Sequence, residues 1–159
     1  MRVARSLAIG LTLAIAASGC TTSEPSLKEA TAELQKDTQR LETDGLFKNP
    51  LMKLRFIQRP DKDIPCAKDR FRRVLRATAD DERSEEPVSA HLERAETVME
   101  NTLAQKFGYK LDFDFSQSDA EDGRFIYGTK NDLGIKVTVY VSPEAPTWRL
   151  HAMTACLPR

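Results

Sequence analysis

Asp112 and Asp114 stand two residues apart in a stretch whose alternation reads as a β-strand. Both carboxylates then share one face at a spacing of about 7 Å. A carboxylate pair at that distance suits general acid–base work, given a concave pocket and a raised pKa in one partner. Lys110 lies alongside, and the plainer reading is a solvated strand face. A second cluster, Arg70, Arg72, Arg73 and Arg76, offers cations to an anion or a lipid head group. The plainer alternative is cross-strand pairing with acids such as Asp112 and Asp114. Trp148 and Tyr140 are candidates for an aromatic partner patch; core packing is preferred for Trp148, and for Tyr140 the two readings stay open. No Gly-x-Ser-x-Gly elbow, glycine-rich phosphate loop or His-Glu-x-x-His motif occurs. The two histidines, His91 and His151, are read as half-exposed on a helix and as lying on the solvent face of the final strand, and neither has ligand-like spacing to a cysteine. No metal or other cofactor is expected.

The three cysteines separate into two roles. Met1-Arg2-Val3-Ala4-Arg5, the apolar run from Leu7 to Ala17 and the small pair Ser18-Gly19 precede Cys20. That is the order of a positive region, an apolar region and a small-residue cleavage site in a secretory signal. The apolar run is short of the about 20 residues a spanning helix needs. With cysteine following directly, Ala17-Ser18-Gly19-Cys20 resembles the lipobox of bacterial lipoproteins, although Ala17 stands where the family usually has Leu or a β-branched residue. The resemblance implies cleavage before Cys20 and a diacylglycerol on its thiol, with palmitate among the acyl chains. It places the protein on the extracytoplasmic face of the cell membrane. Two or more chains give durable anchoring, at about 0.8 kcal/mol per buried methylene. In a cell with an outer membrane, Thr21 is not the aspartate associated with inner-membrane retention, which implies outward export. Export also places Cys66 and Cys156 where disulfides persist, so a Cys66–Cys156 bridge is expected over free thiols or a metal pair. Closing 90 residues would stabilise by about 4–5 kcal/mol in the chain-entropy model.

Removing residues 1–19 takes Arg2 and Arg5 from the 24 basic side chains. The remaining 140 residues carry 22 basic and 24 acidic groups, a net charge of −2. That size suits one domain. So near-neutral a balance gives no case for nucleic acid, and 40% apolar content suffices for a core. The chain divides into a signal peptide over 1–19, a lipidated tether over 20–26 and a single α+β domain over 27–159.

The elements that position these residues are legible from period and punctuation. Ser26 and Glu29 form a capping-box pattern, and Leu27, Ala30, Leu34 and Leu41 recur at helical spacing, with Thr38 interrupting, until Asp44-Gly45. This helix is expected to rest one side on the domain. A short strand is expected over Leu54–Gln58, and a longer one over Lys68–Thr78 with Phe71, Arg73, Leu75 and Ala77 on one face. The acidic stretch Asp80–Glu86 leads into a long helix of about twenty residues, with Ser84 as cap and Pro87 in its first turn. Val88, Leu92, Ala95, Met99, Leu103 and Phe107 line that helix, and Gly108 closes it. Alternation then predicts strands through Leu111–Phe115, Phe125–Tyr127, Ile135–Val141 and Trp148–Cys156.

The expected fold is therefore α+β: an N-terminal helix, then strand, long helix and a four-stranded antiparallel meander, forming one sheet packed on the long helix. If the Lys68–Thr78 strand runs parallel to the first meander strand, its start and the end of the last strand share one end of the sheet. Cys66 and Cys156 occupy those positions. The body resembles small actinobacterial lipoproteins of unknown function, on the lipobox and this cysteine placement. The expected function is a membrane-anchored, non-catalytic binding or accessory module, with Arg70, Arg72, Arg76 and Tyr140 as partner-binding candidates and an envelope protein as the partner. The alternative is a small envelope hydrolase using Asp112 and Asp114.

Overall fold

The computed structural model of the chain describes residues 24–49, 54–82, 85–113 and 122–159. The expected leader, Cys20 and tether residues 21–23 lie outside them, as do Ser84, Asp114 and Phe115. Helix α1 (Leu27–Thr43) begins with the capping box that its sequence announces. Glu29 N donates to Ser26 Oγ at 3.3 Å, and Ser26 N donates to Glu29 Oε2 at 3.0 Å. Leu27, Ala30, Leu34 and Leu41 are buried, and Thr38 turns its hydroxyl back to Leu34 O at 2.9 Å. Asp44 ends α1 and caps a one-turn helix, α2 (Gly45–Lys48), by accepting from Leu46 N at 2.9 Å. That turn brings Phe47 edge-on to Trp148, ring centroids 6.1 Å apart.

The long helix, α3 (Val88–Asn101), starts directly after Pro87, which occupies the N-cap rather than the first turn. Its last turn widens into a π turn (Thr102–Lys106), where Phe107 N donates to Thr102 O at 3.2 Å. Gly108 follows at φ 75°, the left-handed residue that ends a helix. Leu92, Ala95, Met99, Leu103 and Phe107 are buried, but Val88 at the start of the stripe is 50% exposed.

Among the described residues, nine strands form two antiparallel sheets. They are β1 (Arg55–Gln58), β2 (Ile64–Ala67), β3 (Arg70–Arg72), β4 (Val74–Ala79), β5 (Lys110–Asp112), β6 (Arg124–Lys130), β7 (Ile135–Val141), β8 (Trp148–Thr154) and β9 (Leu157–Pro158). The large sheet has the order β1-β4-β8-β7-β6-β5, so β5 to β8 make the expected meander. β4 lies beside β8 with Val74 opposite Met153 and Ala79 opposite Trp148. The small sheet has the order β2-β3-β9.

Two sheets rather than one is a correction, and its cause is local. The stretch 68–78, expected as a single strand, breaks at Arg73. There Arg73 N donates to Thr154 Oγ1 at 3.0 Å, and Thr154 N donates to Arg73 O at 3.0 Å. A side-chain hydroxyl takes the place of a ladder carbonyl, and the chain passes from the small sheet to the large one. The last strand likewise stops at Thr154, short of Cys156. Cys66 and Cys156 are disulfide-bonded, with Cα atoms 5.9 Å apart, so the bridge joins the small sheet to the end of β8.

One face of the large sheet is covered, by α1 on β8 and α3 on β6 and β7. Leu75, Ile126, Val137, Val139, Val141, Trp148 and Leu150 fill the space between. Trp148 is 1% exposed and its Nε1 donates to Ala95 O at 3.0 Å, the core role expected of it. On β6 the buried residues are Arg124, Ile126 and Gly128, while Phe125 and Tyr127 stand on the open face. Gly128 allows this: a Cβ there would meet Val137 Cγ1 at 3.0 Å and Leu111 Cδ2 at 3.1 Å, so the covered side has no room for a side chain.

Candidate functional site

The open face of the large sheet brings together side chains that are far apart in sequence. Residues directly opposite in an antiparallel ladder share a face, so the register reads out its rows. One row runs Phe125, Tyr140, Arg149, Thr78, Arg55. The next runs Asp112, Tyr127, Thr138, His151, Arg76. Phe125 and Tyr127 are 42% and 39% exposed, and Phe113, just past β5, is 58% exposed.

The aromatic corner is internally ordered. Phe125 lies 4.9 Å from the Tyr140 ring, and 6.1 Å from the Tyr127 ring in a stacked arrangement. Arg149 sits 5.5 Å from the Tyr140 centroid, within cation–π range. Tyr140 Oη donates to Asp122 O at 2.5 Å, which fixes the ring plane. At Gly123, φ 126°, a Cβ would run into that ring, so the chain crosses Tyr140 only as glycine. Burial and then the Arg76 charge hold the His151 imidazole below the ordinary histidine range. The arrangement offers flat aromatic area beside Arg149, with Arg76 and Arg55 farther along the same face.

The structure divides the residues that sequence grouped. Arg76 and Tyr140 share the open face, whereas Arg70 and Arg72 belong to the small sheet. Arg70 pairs with Glu24. Arg73 turns to Asp63 at 2.7 Å and donates to Pro60 O at 3.3 Å. The proposed pairing of this cluster with Asp112 does not occur, because β8, β7 and β6 separate β4 from β5. Asp112 is exposed on an edge strand opposite Tyr127. Asp114, its would-be partner, lies outside the described residues. A cleft of about 380 Å³ opens elsewhere, between α1 and the ion pairs of Asp63 with Arg73 and Arg159, with Leu27 and Thr31 in its lining.

Two polar clusters escaped the sequence reading. On the covered side, Asp37 is 1% exposed and accepts from Tyr109 Oη at 2.8 Å, Lys130 Nζ at 2.8 Å and Arg40 Nη1 at 2.8 Å. Lys130 also reaches Glu33 at 2.9 Å. Burial alone would raise Glu33, but Lys130, Lys36 and Arg40 outweigh it and bring the carboxyl down to about 2. Burial, then the Asp37 charge, push the Tyr109 phenol well above its ordinary value. The signal was present: Asp37 falls in phase with Leu34 and Leu41 on α1. The second cluster corrects His91, which is 6% exposed rather than half-exposed. Its Nδ1 lies 3.3 Å from Glu86 Oε1, and Arg94 binds Asp81 at 2.6 Å and also Glu86. Both clusters tie a helix to its surroundings.

No family model, curated protein or solved structure matches this chain. Among the described residues, no group of three or more His, Cys, Asp or Glu is placed to hold a metal ion, and no helix is long and apolar enough to cross a membrane.

Proposed function

We propose that the protein is a lipid-anchored, extracytoplasmic binding module that holds an envelope component against the open face of its large sheet and performs no chemistry on it. The anchor follows from the lipobox-like Ala17-Ser18-Gly19-Cys20. The observation that carries the binding reading is the ordered group in which exposed Phe125 and Tyr127 pack beside half-buried Tyr140, with Arg149 over the Tyr140 ring. Cross-strand contact of these rings contributes about 1 kcal/mol or less to folding, whereas aromatic and arginine side chains dominate interface energetics.

The test uses lipidated protein as bait on cross-linked, detergent-solubilised membranes, beside a Phe125→Ser/Tyr127→Ser variant and a Cys20→Ala form. A specific component retained by the wild type should fall by about tenfold or more with the double variant. Cys20→Ala should leave the membrane fraction. Equal retention by the double variant would remove the aromatic face as the binding surface.

A further inference from the structure

We infer that the β2–β3 hairpin of the small sheet is a second contact surface, one that rests on the phosphate groups of anionic phospholipids beside the acyl anchor. The inference deepens the proposed function and rests on its anchor at Cys20.

Charge is distributed unevenly along this chain. Lys62 to Arg76 holds six basic and two acidic side chains, a net +4, which leaves −6 for the rest of residues 20–159. Local pairing then selects which cations are free. Asp63 is engaged by Arg73 at 2.7 Å and by Arg159 at 2.9 Å. Glu24 engages Arg70. Among the described residues, Lys68 at the hairpin tip and Arg72 on β3 have no carboxylate partner, and the Nε of Arg72 is buried without a hydrogen bond. Asp69 is the single acid of the tip that stands against Lys68, Arg70 and Arg72.

Position supplies the partner. The Arg70–Glu24 pair pins the hairpin to the residue four places after Cys20. Pro25 sits beside the turn at Gly134, 3.9 Å from where a Cβ on that glycine would be, so the chain leaves the domain at the end of the sheet that the disulfide closes. Four extended residues span at most about 14 Å, so a chain held at Cys20 keeps this hairpin close to the head groups. Basic side chains this near an anionic surface each strengthen association by about fivefold at moderate salt. One lipid anchor with an adjoining basic patch is a stable combination. The aromatic row of Phe125 and Tyr140 lies towards the other end of the same strands, facing away from the bilayer.

The experiment reconstitutes lipidated protein into vesicles of phosphatidylcholine alone or with about one-third phosphatidylglycerol. Amide hydrogen exchange is followed across Ile64–Arg72, and the mass of the Cys20 peptide is recorded in the same digests. The inference expects slower exchange of the hairpin only with phosphatidylglycerol, reversal by about 0.5 M salt, and loss of the effect in Lys68→Gln/Arg72→Gln. An acylated Cys20 peptide with hairpin exchange equal in both vesicles overturns the docking surface and leaves the anchor standing. An unmodified Cys20 peptide removes the anchor, and the docking inference with it.

Discussion

On its covered face the large sheet accepts charge only in pairs, whereas its open face carries charged and aromatic groups that reach solvent. Lys130 and Asp37 are nearly buried and bonded to each other, and Arg124, 6% exposed, reaches Glu96 at 2.6 Å. Across the sheet, Arg76 and Arg149 are exposed and Phe125 and Tyr127 meet solvent. Burial explains the contrast. A charge taken out of water must be fully paired, and removing one partner strands the other, so the covered face uses its ionic groups to hold α1 and α3 to β6. The open face is under no such constraint.

Three measurements test that contrast. Lys130→Met removes one of the two cations that Asp37 and Glu33 share and should cost about 3–5 kcal/mol in urea unfolding, with Arg40 and Tyr109 keeping the loss towards the lower end. A cost near zero would mean that the covered network is ornamental. Acid gives the second measurement. Glu33 titrates lower in the folded chain, about 2, than its ordinary 4.5. Its contribution is therefore complete above about 4.5 and disappears as pH falls towards 2. Because Glu33 is partly solvated, that contribution should be about 1 kcal/mol. Glu33→Gln should flatten the acid limb by this amount relative to wild type, and identical limbs would break the argument. The smallest effect belongs to the open face. Phe125→Ser/Tyr127→Ser should change folding stability by about 1 kcal/mol or less, even as it lowers retention of the proposed partner by about tenfold. A larger loss would make these rings part of the fold.

Much of the architecture could be read from local pattern. The Ser26–Glu29 box, the α1 stripe, the Leu92-to-Phe107 face of α3 and the Ile135–Val141 alternation all depend on neighbours in sequence, and all appear where expected. The rest depends on distant partners. Phe125/Tyr127 and Ile126/Gly128 fit an inward face equally well by composition. Pairing with β7, which sets Ile126 opposite Val139 and Phe125 opposite Tyr140, decides between them. The break at Arg73 needs the Thr154 hydroxyl from the far end of the chain. His91 is buried because Asp81, Glu86 and Arg94 converge on it. Of the residues singled out for binding, Arg76 and Tyr140 share a surface, while Arg70 and Arg72 form another.

The Cys66–Cys156 bond makes the molecule a ring for most of its length, with all of β3 to β8 inside it. A protease that cuts once anywhere in that ring produces two pieces still joined by sulfur. With the proposed anchor on residue 20, the piece that bears it keeps hold of the other, so a nicked copy is not shed into the medium. Only a reductant, acting after the cut, would set the outer portion adrift.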